Sequence, residues 1–349
     1  MFSPKEFINI GNTISKYTHP LDNNLEEHQI GVTIPSEEEG LLGEGCELLE
    51  AAPIHELLEG NTLELQYFQD GIQRTQFLGN IFSEQLKRLV PLIFTTVGAI
   101  VVSLEGGHIR KYFEPIMEEK FIVPDLQYLP AELVASIPKK YLYEVKGFDP
   151  ERPPNEFRKY IFTNIIRKMR QRVEVEMVQQ FDRQNPEDWL VIDGLVYQVS
   201  SNDKKVGIIK RHGKDWIDPE LKFRILKEFV QNDGRKLRSC LFKITYRTPF
   251  HAVMVSSYAK LLYQFKSPLT NNPEFSLIRI ETPLTHKDEF DPILNTILQL
   301  NSPLSNPSDQ WDKKIYPIYM AEKILRSYSK NDRIISAAFH RMWYKNDGR

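Results

Sequence analysis

The sequence predicts an α/β protein: a mixed sheet flanked by helices, with an N-terminal appendage over residues 1–60 and a mostly helical C-terminus. Three observations carry this. Short apolar or alternating runs recur through the chain at strand length. Residues 156–181 hold no Pro or Gly and repeat large apolar side chains every four positions. Residues 320–343 have the composition of a further helix.

Taken in order, residues 1–60 are acidic and mixed, and Glu37, Glu38 and Glu39 precede Gly40, Gly43 and Gly45 in what reads as a connecting loop. From residue 63 alternation begins. Leu63, Leu65 and Tyr67 fall on one side and Glu64 and Gln66 on the other, and the strand ends at Asp70-Gly71. Residues 77–81 and 91–103 supply two more strands, the second stopped by Glu105-Gly106-Gly107. Prolines at 115, 124, 130, 138, 150, 153 and 154 make residues 104–154 an insertion of short helices and loops.

Asn155 is placed to cap the long helix, whose apolar stripe runs Phe157, Ile161, Ile165, Met169, Val173, Met177, Phe181. After Asn185-Pro186 comes Leu190-Val191-Ile192-Asp193-Gly194, a strand of the kind buried on both faces, again ending in Asp-Gly. Residues 195–199 and 206–210 read as a hairpin, and 241–246, 251–258 and 277–281 as later strands. Tyr316 and Pro317 open the last helix, where proline suits a first turn.

Composition narrows the function. The chain has 349 residues, 41% hydrophobic, which can bury a sizeable core. With 45 Lys and Arg against 47 Asp and Glu, the net charge of −2 excludes a uniformly basic coat, so a phosphate-binding surface must be local. Cys46 and Cys240 are distant in sequence and have no ligand-spaced partners, which points away from a disulfide framework or structural zinc and towards a reducing cytoplasm. No stretch has the length or apolarity of a membrane span. No P-loop, GxGxxG, GxSxG or HExxH occurs, so ATP hydrolysis, dinucleotide chemistry, serine hydrolysis and zinc hydrolysis have no motif to rest on.

What remains are acids. A lone Asp-Gly is well read as a tight turn. Two at corresponding strand ends, with antiparallel strands and a long helix between them, follow the order in which an RNase H-like fold presents its catalytic carboxylates. Phosphodiester cleavage uses divalent ions to activate water and stabilise the leaving oxygen, and such hard cations are held by carboxylates from adjacent elements. The helix offers a third acid. Glu174 lies beside Val173 on the apolar stripe, whereas Glu176 belongs to the polar flank. A carboxylate facing the core needs a partner; metal and an ion pair with Arg170 at i−4 are the two alternatives.

At these residues the sequence resembles the NurA nuclease family. The pieces are QDG at Asp70, MRQRVE ending at Glu174, LVIDGLVY at Asp193, VGIIKRH at Lys210 and the C-terminal YPIYMAEKILRSYSKNDR, in that order over roughly residues 60–335. The resemblance implies an RNase H-like fold over residues 61–349 and a Mn²⁺- or Mg²⁺-dependent DNA nuclease. By it, Asp70, Glu174 and Asp193 hold metal and Lys210 steadies the scissile phosphate. It also implies a homodimer working with a HerA-like hexameric translocase, in DNA end processing or antiviral defence. One position departs: the family's final motif carries His or Asp after the Ala, and here Ala321 is followed by Glu322. Glu322 can still serve as a ligand, or can be half of an exposed Glu322-Lys323 pair.

Lys204, Lys205, Lys210, Arg211, His212 and Lys214 cluster after Asp193 and are the candidate nucleic-acid contacts, with further clusters at Arg235, Lys236, Arg238 and at Arg167, Lys168, Arg170, Arg172. Two other functions share these residues: a non-catalytic adaptor that binds translocase and DNA, and an RNase H-like enzyme acting on RNA.

Overall fold

The computed structural model describes residues 4–19, 43–146, 156, 159–196, 200–210, 216–232, 234–246, 253–264, 272–301 and 311–329. These form an α/β architecture around one large mixed sheet. The chain opens with α1 (Pro4–Tyr17), β1 (Thr18–His19), β2 (Gly43–Leu48) and β3 (Ile54–Glu56). It continues through a long hairpin, β4 (Tyr67–Ser83) and β5 (Arg88–Glu105), then β6 (His108–Lys111), β7 (Ile116–Val123), α2 (Ala131–Ser136) and β8 (Leu142–Glu144). A π-turn (Ile161–Ile166) leads into α3 (Arg167–Gln184), followed by β9 (Leu190–Asp193), β10 (Lys205–Ile209) and α4 (Pro219–Val230). The remaining elements are β11 (Leu237–Ser239), β12 (Phe242–Tyr246), β13 (Val253–Lys260), β14 (Leu277–Pro283), α5 (Phe290–Gln299) and α6 (Tyr316–Tyr328).

The main strand order is β2-β12-β13-β14-β10-β9-β4-β5-β7-β8. Its centre is parallel: β9 pairs parallel with both β10 and β4. The flanks are antiparallel, β14 against β10 on one side and β5 against β4 on the other. A central parallel strand must be apolar on both faces. Leu190 and Ile192 accordingly enter one core with Met169, Val173, Met177 and Phe181 of α3 and Ile225 and Phe229 of α4. Val191 enters the opposite core with Phe290, Ile293 and Ile297 of α5 and Ile318, Ala321 and Leu325 of α6. Helices therefore cover both faces, and side chains two apart on a strand share a face.

Several expectations are corrected here. Residues 43–56 are strands of the sheet, β2 against β12 and β3 against β11, and β1 pairs with β4, so no appendage separates from the fold before residue 60 in the described parts. The insertion over 104–154 contains β7, eight residues paired antiparallel to β5, because its prolines flank the strand and leave its amide donors intact. Residues 205–209 run parallel to β9 and antiparallel to β14, so both sides of β10 are taken by strands other than the expected hairpin partner; residues 197–199 of that partner lie outside the described residues. The long helix carries a π-turn. Exact fourfold spacing drifts about 40° per step on an α-helix, and the wider turn places Ile166 in the core where the stripe predicts Ile165. Asn155 and Phe157 lie outside the described residues, as do residues 330–343 of the predicted last helix.

Candidate active site

The three parallel strands deliver three charged residues to one place. Gln69 of β4 pairs with Ile192 of β9, which sets Asp70 level with Asp193 on neighbouring strands, about 4.8 Å apart across the ladder. Ile208 of β10 pairs with Asp193, and Lys210 follows two residues later on the same face. Alternation fixes the side. Asp70 shares its face with Phe68 and Ile72, and Asp193 with Val191, so both acids point towards the α6 side. The position is the carboxyl end of the parallel strands, where open α/β sheets place their sites.

The two Asp-Gly dipeptides differ in their reason for glycine. Gly194 ends β9 in a left-handed conformation, φ 111°, which glycine accepts without steric cost. Gly71 does not end its strand: β4 runs on to Ser83, so Asp70 sits near the strand's start, correcting the expected strand end. A Cβ at Gly71 would overlap the carboxylate of Glu174. That contact comes from α3, on the opposite face of the sheet from the Asp70 side chain. Glu174 is half-buried and Glu176 exposed, as the stripe predicts, yet Glu174 pairs with Arg170 at 3.4 Å and does not line the cleft that holds Asp70 and Asp193. The sheet separates it from the other two acids.

That cleft has a volume of about 300 Å³ and is lined by Asp70, Asp193, Lys210, Glu322 and the cations Arg74, Lys314 and Arg326. Lys210 Nζ lies 2.6 Å from Asp193 Oδ1, and Asp70 Oδ1 accepts from the Gly71 N–H at 2.7 Å. Burial pushes the Asp70 carboxyl well above the usual carboxylate range, and the charges of Asp193 and Glu322 push it further, against the opposing pull of Lys210 and the Gly71 amide. Burial would lower the Lys210 ammonium, but Asp193, Asp70 and Glu322 outweigh it and hold Lys210 above its ordinary value. Lys210 is thus held in its charged form beside Asp193.

Glu322 faces the cleft from α6, and both its oxygens are engaged. Oε2 accepts from Lys314 Nζ at 2.8 Å and Oε1 accepts from Arg326 Nη2. Burial raises its carboxyl, and these cations more than offset that, leaving it below the usual range. The exposed Glu322-Lys323 pairing is not formed; Lys323 lies over the Tyr319 ring instead.

The basic cluster divides. Lys205 is buried, ion-paired with Asp182 and placed over the Phe181 ring, so it is a structural cation and cannot offer itself to a nucleic-acid surface. Lys204 donates to the Glu187 carbonyl at 2.8 Å. Arg211, His212 and Lys214 lie outside the described residues. Of the other clusters, Arg238 is buried between Glu50 and Asp291, and Arg172 pairs with Glu118.

The sequence reading missed Arg74, Lys314 and Arg326. Arg74 follows Asp70 by four on one strand, which puts it on the same face, and Arg326 follows Glu322 by four on a helix. Those spacings were the available signal. It missed also the support behind the site. Lys313 Nζ donates to the Lys210 carbonyl at 3.3 Å, and buried Glu281 accepts from the Val196 N–H at 3.1 Å, fixing the turn after Asp193.

Among the described residues no group of three or more His, Cys, Asp or Glu side chains gathers to hold a metal. A pair is enough for a small hard cation, which is bound through one or two carboxylates plus water and phosphate oxygens. Asp70 and Asp193 fit that demand in donor type, in level placement and in the repulsion that a cation would relieve. No known family model matches the chain, and no curated protein matches it. Among the described residues no helix is long and apolar enough to cross a membrane.

Proposed function

We propose that this protein is a metal-dependent nuclease with an RNase H-like sheet of the NurA type, acting on DNA. The observation that carries the reading is the level placement of Asp70 and Asp193 on adjacent parallel strands beside Lys210, in an open cleft rimmed by further cations. Asp70 and Asp193 would hold Mn²⁺ or Mg²⁺, which supplies an activated water and draws charge from the phosphate. Lys210 keeps its proton because Asp193, Asp70 and Glu322 surround it, and would contribute a fixed positive charge for the scissile phosphate. Glu281, through the Val196 amide, and Lys313, through the Lys210 carbonyl, hold the acid and the lysine in place. Glu174 braces the back of β4 at Gly71.

The same resemblance extends the proposal to a homodimer that works with a HerA-like hexameric translocase, which would provide the ATP-driven step for which this chain has no motif. A second reading, a non-catalytic relative, is favoured by one observation: the Lys210–Asp193 ion pair occupies an oxygen that a metal would need. The test is to incubate the purified chain with linear single- and double-stranded DNA and with RNA, in Mn²⁺ or EDTA, beside Asp70→Ala and Asp193→Ala. Metal-dependent cutting lost in both variants supports the proposal. No cutting, with or without a hexameric translocase, favours the adaptor; preference for RNA moves the substrate class; cutting that survives Asp193→Ala overturns the site.

A further inference from the structure

The cleft holds more positive charge than the acid pair uses. Arg74 enters from β4, Lys314 from the segment before α6 and Arg326 from the last turn of α6, so three separate places in the chain bring cations to one opening. Lys314 and Arg326 meet on Glu322, one on each oxygen. Side chains of Lys314 and Glu322 are 15% and 20% exposed, whereas Arg326 is 55% exposed. The pair is anchored inside and reaches outside.

This arrangement suits Glu322 poorly to metal. A divalent ion bound there would sit beside an ammonium and a guanidinium, and like charges at that separation repel. An exposed ion pair adds little stability, so stability alone does not account for holding Arg326 at the mouth. A guanidinium and an ammonium held on the two oxygens of one carboxylate, with Arg74 lining the same cleft, match a row of backbone phosphates, which proteins bind through Arg and Lys without reading sequence.

We infer that Glu322 is a positioning residue that fixes Lys314 and Arg326, with Arg74, as a clamp for the phosphates of the nucleic-acid strand flanking the scissile bond. The clamp rests on the nuclease reading above for its orientation towards Asp70 and Asp193. It makes the departure at Glu322 a change of role: the residue orders substrate contacts and leaves metal to the two aspartates.

The full chain tests this in two measurements. Binding of fluorescein-labelled single- and double-stranded DNA is followed by anisotropy across a salt series in EDTA, and Mn²⁺ binding is followed by electron paramagnetic resonance. Lys314→Ala and Arg326→Ala should each weaken DNA binding about tenfold and flatten the log–log salt dependence by about one. Arg326→Lys should keep the salt slope, which separates loss of a charge from loss of the fold. Glu322→Gln should leave Mn²⁺ affinity unchanged and raise KM for DNA. A loss of about tenfold or more in Mn²⁺ affinity in Glu322→Gln would make it a metal ligand and overturn the inference. Unaltered DNA affinity and salt slope in both cation variants would overturn it as well. DNA binding with these effects but without cutting leaves the clamp and removes the nuclease; Mn²⁺-dependent cutting with silent cation variants does the reverse; neither binding nor cutting removes both.

Discussion

Two ionic clusters lie on neighbouring strands and behave in opposite ways. Arg279 and Glu281 of β14 are fully buried, with Nη1 of Arg279 3.2 Å from Glu281 Oε2. Tyr246 donates to Glu281 at 2.5 Å, Ser256 accepts from Arg279 at 3.2 Å, and the guanidinium lies 5.9 Å from the Trp216 ring centroid. In that cluster the one carboxylate meets a guanidinium, a hydroxyl and the Val196 amide. In the cleft, Asp70 and Asp193 stand level, Lys210 is paired with Asp193, and Asp70 is driven away from its charged form. The difference teaches how to tell the two kinds of buried charge apart. A matched, closed group holds structure together, whereas two like-charged acids set level beside an opening mark a candidate site for something that arrives from outside.

The largest effect should come from unbalancing the closed cluster. Arg279→Met leaves Glu281 buried without its cation, and removing one partner of a buried pair costs about 3–5 kcal/mol. Urea unfolding reads this directly. A cost well under that range would break the comparison, since it would mean that water or Tyr246 carries Glu281 unaided.

The corresponding change in the cleft should act on rate and spare the fold. Asp193→Asn keeps the shape of the side chain while removing the charge that would hold a cation, and should lower Mn²⁺-dependent cutting by on the order of 10²–10³-fold. Circular dichroism should be unchanged. If instead the variant unfolds, Asp193 belongs with the structural cluster and the contrast fails.

Gly71→Ala sharpens the comparison from behind the site. The new methyl group must displace the Glu174 carboxylate, a flexible side chain that can give way, so the cost should be about 1–3 kcal/mol. Replacing Glu174 with Ala alongside it should recover most of that loss in a double-mutant cycle, because the overlap is with this side chain. Failure of the rescue would place the strain in the β4 backbone.

These contrasts also mark what was legible in the sequence. Asp193 could be read because β9 is short, apolar up to Asp193 and closed by a glycine whose left-handed turn has no alternative use. Asp70 could be found but its strand misjudged, because Gly71 looks like the same turn signal and exists instead to admit Glu174. The helix stripe correctly put Glu174 inward; no single helix wheel states which face of a sheet the helix covers, and that face separates it from Asp70. Lys205 read as one of a basic cluster, yet pairing with β9 turns it inward onto Asp182. The Arg279–Glu281 pair lay in an unremarkable strand, because this buried ion pair depends on partners 23 to 35 residues away in Ser256 and Tyr246. Local patterns report what a residue faces and seldom what it meets.

The smallest effect tests the electrostatic premise itself. Asp70 holds its proton more tightly folded than unfolded, since burial and Asp193 both oppose ionisation. A group with a raised folded pKa contributes stability that is complete below its unfolded value and is lost as pH rises through the folded one. Asparagine imitates the protonated acid at every pH. In EDTA, Asp70→Asn should therefore be more stable than the natural protein by about 0.5–2 kcal/mol near neutral pH, the usual scale for relieving strain at a functional site. The gain should shrink towards acid pH, where aspartate is already protonated, and grow as pH rises. Thermal unfolding across a pH series measures both the sign and the slope. A variant less stable than the natural protein at neutral pH would show that Lys210 and the Gly71 amide already balance Asp70, and the cleft would then join the closed cluster as a structural ion-pair group.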